Sequence, residues 1–268
     1  MSGPLVDLTG RHAVVTGGAG GVGRATARTL SGLGARISLL DLDLPGTQAA
    51  AQEIRAGGGT AEAIRCDVAD PDDIASAFGQ VASAGPADIL VNNAGVNLRG
   101  ASMEVSYADW MRTLAINVTG YFLCARHFAG QLAPGGTGSA AIVNISSIGG
   151  STSLGRGNFS YGVSKGGVEQ MTRELAVAWA ARGIRVNAIA PCQITTDGLR
   201  ALSQQPSAEG RLLDTFLRGI PLGRLAEPSD VAAAVAFLVS NAAAMITGVV
   251  LPVDGGNLAL NAGGTIGE

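Results

Sequence analysis

Residues 12–23 read HAVVTGGAGGVG, and the parsing of that stretch decides the class of fold. HAVVT (12–16) is a short apolar run rich in β-branched valine, suited to a buried strand. The glycines behind it suit a tight turn that needs positive backbone dihedrals. GVGRATARTLSGLG then places alanines and leucines at helical spacing before Gly34. Strand, glycine turn and helix in that order form the first half of a βαβ unit.

Outward from this unit the alternation repeats. RISLLD (36–41) is followed by PGTQAAAQEIRA, AEAIRCD up to Asp67 by DDIASAFGQVAS, and DILVNN (88–93) by a longer helical stretch after Ser106. Asp70 before Pro71 has the form of an N-cap with proline at the first helical position. AAIVNIS (140–146), RVNAIAP (185–191) and GVVLPV (248–253) are continuous apolar runs of the kind buried on both faces of a parallel sheet. Strands alternating with helices, joined by right-handed crossovers, predict an α/β fold: a Rossmann-type doubly wound parallel sheet of seven strands with helices on both faces. No linker divides residues 1–268, so one domain is expected. About residues 194–226 break the rhythm with two prolines and two short helical stretches, and are expected to form a substrate lid over the carboxyl ends of the strands.

Composition narrows the function classes. With 268 residues, 47% apolar and 15% charged, the chain is long enough to bury a substantial core. Its 40 glycines follow no three-residue period, which excludes a collagen-like chain. A formal charge of −3 and no basic run argue against nucleic acid or a membrane surface as partner. Cys66, Cys124 and Cys192 lack CxxC spacing, so neither a disulfide framework nor a metal site is expected. With no signal-peptide pattern, the cytoplasm is the expected location. The apolar AAAMITGVVLPV is too short for a bilayer span and carries Gly248 and Pro252.

The glycine turn TGGAGGVG (16–23) opens a helix, where free N–H groups favour a phosphate. Two registers fit it. Gly18, Gly20 and Gly23 spell GxGxxG, whereas Thr16, Gly17, Gly21 and Gly23 spell TGxxxGxG, with Val22 inside either. Asp41 ends the second strand 18 residues beyond Gly23, where a carboxylate accepts from ribose hydroxyls and repels a 2′-phosphate. NAD is therefore expected over NADP. Asp67, ending the third strand, is placed to reach an adenine amino group, leaving Val68 to pack on the ring. Arg36 precedes the second strand and is not placed to clamp a phosphate.

Tyr161 and Lys165 open a long helix, YGVSKGGVEQMTRELAVAWAARG, so the pair lies on one face. A phenol with a reference pKa of about 10 exchanges protons poorly at neutral pH, and an ammonium beside it is expected to lower that value.

Together, TGGAGGVG, NNAG (92–95), Asn117, Ser147 and the Tyr161/Lys165 pair stand in the order of the short-chain dehydrogenase/reductase family, which the chain resembles over about residues 9–257. The resemblance implies an NAD(P)-dependent oxidoreductase, usually a homotetramer, acting on CH–OH donors with catalytic Asn117, Ser147, Tyr161 and Lys165. It implies that Lys165 also holds the nicotinamide ribose, that Asn117 holds a water through its backbone and a helix kink, and that Asn93, Ala94 and Gly95 pass close to the cofactor. Family members commonly place serine 13 residues before the tyrosine; here that is Ile148, and Ser147 stands 14 before. APCQITT (190–196) is similar to the family's PG-x-I-x-T segment, so Pro191, Ile194 and Thr196 are expected at the nicotinamide, with Cys192 where glycine is usual.

For the substrate, Arg99 lies four residues past the NNAG glycine, as in family members that handle polyols and sugar acids. Arg156, Asn158 and Gln193 add polar pocket candidates. The expected substrate is a polyol, sugar or sugar acid. A 3-oxoacyl-[acyl-carrier-protein] reductase is the alternative within the class, and a non-catalytic dinucleotide-sensing protein the alternative outside it. The polar tail 258–268 is expected to reach a neighbouring subunit.

Overall fold

A computed structural model describes residues 6–132, 140–195 and 208–260. Seven strands, β1 (His12–Thr16), β2 (Arg36–Asp41), β3 (Ala61–Arg65), β4 (Ile89–Asn92), β5 (Ala140–Ile145), β6 (Ile184–Pro191) and β7 (Val250–Val253), form one sheet. Their order is β3-β2-β1-β4-β5-β6-β7, and every adjacent pair is parallel. The expected sheet is present, with shifts at strand ends. β7 starts at Val250 because Gly248 turns the chain at φ 78°. β5 stops at Ile145, so Ser147 lies beyond the strand and caps the short α6 (Ile148–Ser151).

Side-chain alternation along each strand divides the core into two layers. Ala13 and Val15 of β1 and Ile37 and Leu39 of β2 pack with Leu30 of α1 (Gly21–Gly32) and Val235 of α9 (Pro228–Val239). On the other face Val14 and Leu40 pack with Phe78 of α3 (Pro71–Ser83), Phe128 of α5 (Gly120–Gln131) and Leu175 of α7 (Phe159–Trp179). Burying each of these large side chains contributes roughly 1.5–3 kcal/mol before chain entropy is set against it.

The caps follow the sequence signals. Asp70 accepts from the N–H groups of Asp72 and Asp73, with Pro71 at the first position of α3. Asp43, at the start of α2 (Leu44–Ala56), accepts from the Gly46 N–H. Ser106 caps α4 (Tyr107–Leu114), but the helix expected after it is not uniform. A π turn, Ala115–Thr119, separates α4 from α5 and carries the buried Asn117. Such wide turns inside helices concentrate at functional sites.

The chain runs β1 to β2 to β3 on one side, then crosses to β4 on the other. A crevice therefore opens at the carboxyl ends of β1 and β4, where open α/β sheets bind ligands. Between β6 and α9 lies α8 (Ala208–Leu217). The ends of that excursion are zipped by Thr195 N–H to Ala226 O and Ala226 N–H to Gln193 O, at 2.8 and 3.1 Å. Thr196 and residues 261–268 lie outside the described residues.

Candidate active site

The glycine turn chooses between its two registers. Gly17 and Gly21 take φ of 67° and 53°, whereas Gly18 and Gly20 have no positive φ. A Cβ on Gly23 would lie 2.0 Å from the Gly17 carbonyl oxygen, so only glycine lets α1 approach the turn. The positive dihedrals thus fall in the Thr16, Gly17, Gly21, Gly23 register, while Gly18 is needed for its close approach to Leu39, 2.6 Å from where a Cβ would stand. Gly20 offers no side-chain cap to α1, leaving the first-turn N–H groups free for an anion.

This turn is strapped to the NNAG segment. Thr16 Oγ1 accepts from the N–H groups of Asn93 (2.9 Å) and Ala94 (3.1 Å), and Asn93 Nδ2 donates to the Thr16 and Gly17 carbonyls at 3.0 and 3.1 Å. Asn92 instead points into the sheet, where Nδ2 donates to Asn144 Oδ1 at 2.9 Å and to the Tyr121 carbonyl at 3.2 Å.

At one end of the crevice a cavity of about 400 Å³ is lined by Gly17, Asp41, Asp67, Val68 and Ala94, with Arg112 at its edge. The Asp41 carboxylate accepts from the backbone N–H of Ala19 and of Asp43, both at 3.0 Å, so it ties the glycine turn to the end of β2. Arg36 lies at the opposite end of that strand, donating to the Ala84 and Gly85 carbonyls.

At the other end a cavity of about 420 Å³ holds Ser147, Tyr161 and Lys165 together. Extended backbone at Ser147 continues the strand's alternation, and its Oγ accepts from the Gly149 N–H at 3.1 Å. The Ser147 hydroxyl and the Tyr161 phenol border the same cavity. Ser146 turns the other way, donating to Glu169 Oε1 at 3.1 Å. Asn117, buried in the π turn, clasps the Val96 backbone: Oδ1 accepts from its N–H and Nδ2 donates to its carbonyl, each at 2.9 Å. A further Nδ2 bond of 3.0 Å reaches Ser164 Oγ on α7.

Lys165 is 3% exposed, and it is the sole lysine of the chain. Its Nζ donates to the Ile145 carbonyl at 2.7 Å and to the Tyr121 hydroxyl at 3.3 Å, and sits 5.7 Å from the centre of the Tyr161 ring. The electrostatics correct the expectation of a lowered phenol. Burial pushes Tyr161 up, with the Ser147 hydroxyl working against it, and burial alone brings Lys165 down to about 7. The same desolvation that makes the pair effective disfavours the charged form of each partner.

The polar candidates Arg99, Arg156, Asn158 and Gln193 all line this second cavity, as do Val22, Pro191 and Ile194. Sequence reasoning missed three of its features. Asn97 donates to Asn158 Oδ1 at 2.8 Å across the mouth. Phe216 of α8 borders the cavity and is covered at 5.1 Å by the guanidinium of Arg156, a residue held at φ 53°. Tyr121 stands behind Lys165, and only its spacing of four from Asn117 hinted at a shared helix face. Gln193 Oε1 is buried with no hydrogen-bond partner among the described residues. Cys192 has no positive φ, so the usual glycine is not required there, and burial pushes its thiol up.

The two cavities share Gly95 and Val96 and flank the uncapped start of α1. That trough, with the free N–H groups of α1 between its two cavities, fits an elongated dinucleotide. Among the described residues no group of three or more His, Cys, Asp or Glu could hold a metal ion.

Residues 17–257 match the family model adh_short_C2, described as Enoyl-(Acyl carrier protein) reductase. The chain belongs to the short-chain dehydrogenase/reductase family. Within that family it is 40% identical to galactitol 2-dehydrogenase (L-tagatose-forming) of Cereibacter sphaeroides, over 93% of this chain and 95% of that one. It is 40% identical to D-threitol dehydrogenase of Mycolicibacterium smegmatis, over 93% of each chain. Among solved structures, a putative NAD(P) dependent gluconate 5-dehydrogenase of Beutenbergia cavernae with bound NADP at low occupancy superposes with a TM-score of 0.87. It shares 38% identity over 96% of this chain and all of that one. As a short-chain dehydrogenase/reductase the protein is an oxidoreductase served by a nicotinamide dinucleotide.

Proposed function

We propose that this enzyme interconverts a secondary alcohol and its ketone with NAD(H), the alcohol being a polyol, sugar or sugar acid. The observation that carries the reading is the convergence of Ser147, Tyr161 and Lys165 in a cavity walled by Arg99, Arg156, Asn158 and Gln193. The relatives active on galactitol and threitol support it. NAD is preferred over NADP because Asp41 presents a carboxylate at the end of β2, although the Beutenbergia structure carries NADP.

Thr16, Gly17, Gly21, Val22, Gly23, Asp41, Asp67, Val68, Asn93, Ala94, Gly95, Pro191 and Ile194 hold the cofactor, which when bound accepts or supplies the hydride. In oxidation Tyr161 Oη takes the proton of the substrate hydroxyl; in reduction it returns one. Ser147 holds the substrate oxygen and stabilises charge that develops on it. Lys165 supplies the cation that favours phenolate in a site whose burial opposes it. Asn117 fixes the Val96 backbone beside the cofactor. Ile194 and Phe216, from the two described ends of the β6–α9 excursion, wall the site.

A 3-oxoacyl-[acyl-carrier-protein] reductase is the weaker reading, because Asp41 opposes NADPH and the cavity walls are polar. Exposed Phe159, Val163 and Val177 of α7, with Phe122 of α5 and Met111 of α4, support assembly as a homotetramer, checked by light scattering for four 26.8-kDa chains. The deciding experiment is NADH formation over a panel of polyols, sugar acids and 3-hydroxyacyl esters. Tyr161→Phe is expected to lower kcat by about 10³-fold, within the range for a proton-transferring group. Activity that survives this substitution overturns the mechanism.

A further inference from the structure

Lys165 does not meet its surroundings as an isolated lysine. An ammonium has three donors. Two of them are taken by the protein, one by the Ile145 carbonyl and one by the Tyr121 hydroxyl, while the residue itself borders the cavity. Tyr121 is 1% exposed and donates its own proton to the same Ile145 carbonyl at 3.2 Å, which aims an oxygen lone pair at Lys165. The ammonium lies 5.0 Å from the Tyr121 ring centre, on its hydroxyl side, and 5.7 Å from that of Tyr161. Behind this, Asn92 fixes the Tyr121 backbone by donating to its carbonyl.

We infer that Tyr121 is a positioning residue for Lys165. It holds the ammonium against β5 with one donor left for the cavity, and its hydroxyl oxygen favours the charged form against the burial that opposes it. Removing the hydroxyl discards an acceptor that bonds the ammonium more strongly than it bonds the neutral amine. The remaining titratable and charged neighbours are few. On α7 they are Tyr161 and Glu169, the latter engaged by Ser146 and Ser151. On α5 they are Tyr121 and, behind it, Cys124; burial holds the phenol and the thiol well above their ordinary values, so both stay protonated. The role of Lys165 in turnover rests on the function proposed above; its attachment to Tyr121 does not.

Because the chain has one lysine, protein grown on lysine labelled with 13C at Cε gives a single ε-carbon titration that belongs to Lys165. In wild type without cofactor or substrate it is expected near 7. In Tyr121→Phe, with the melting temperature recorded alongside, it is expected to fall by about one pH unit, the worth of one hydrogen bond to a charged group. The same shift is expected in the pH profile of kcat. Should that variant not fold, Tyr121→Met tests the same bond without adding a group that titrates near neutrality, and the lysine titration is expected to fall likewise. A titration unmoved in whichever protein folds overturns the inference. A shifted lysine in a protein that turns over no secondary alcohol overturns the proposed function and leaves the Tyr121 contact standing.

Discussion

Asp41 shows how one side chain is asked to do two things. Its oxygens accept from Ala19 and Asp43, and the residue lines the cavity proposed to take the adenosine. Asp41→Asn keeps one acceptor while removing the charge that repels a 2′-phosphate. The ratio of kcat/KM for NAD to that for NADP is expected to fall by about tenfold or more, equivalent to about 1.4 kcal/mol. An unchanged ratio would show that discrimination lies elsewhere, with Arg112 as the nearest alternative. Residue identity was readable here because a carboxylate at a strand end has a chemistry of its own. Tyr121 was not readable, since a tyrosine in a helix is ordinary until β5 and α7 bring Ile145 and Lys165 to its hydroxyl.

Among elements, the contact of α6 with α7 matters most, since α6 begins at Ser147 and α7 carries Tyr161 and Lys165. Glu169 clamps them. Its carboxylate accepts from Ser146 at 3.1 Å and from Ser151 at 2.9 and 3.1 Å, and Arg173 approaches to 3.9 Å. Glu169→Leu leaves two hydroxyls without that acceptor, and about 2 kcal/mol of stability is expected to go with it. Denaturant unfolding checks the loss, and kcat is expected to fall with it because Ser146 and Ser151, on either side of Ser147, lose their tie to α7. Full activity together with unchanged stability would remove Glu169 from the account. The α4–π–α5 element teaches a related lesson. Ser106 announced its start and the resemblance implied a kink at Asn117, but the wide turn itself, Ala115–Thr119, was not readable, because Asn117 reaches the Val96 backbone from another segment.

For the molecule as a whole, the amino ends of the strands supply a stability switch far from the crevice. His12 is buried, with Nε2 2.7 Å from Ser38 Oγ and Nδ1 3.0 Å from the Gly85 carbonyl, and Ser38 donates to Glu62 at 2.5 Å. Burial, then the Arg36 guanidinium, holds His12 below its ordinary value. The folded protein therefore keeps it neutral where the unfolded chain protonates it. Its contribution is full above about pH 6.5 and is lost as pH falls through the lowered folded value. Urea midpoints are expected to be level above neutrality and to decline between about pH 6.5 and 5, before most carboxylates titrate. His12→Gln should flatten that window, and a decline of equal size in the variant would assign it to other groups. The sequence by itself determined the sheet, its strand count and the crevice, because apolar runs, glycine turns and caps act over a few residues and leave a local record. It also marked Ser147, Tyr161 and Lys165, whose chemistry is unusual in that order. Only the tertiary structure decided the register of the glycine turn, the rise of the Tyr161 phenol, the meeting of Arg156 with Phe216 and the grip of Tyr121 on Lys165. Each of these depends on burial or on contact between distant segments, and neither leaves a local record in the chain.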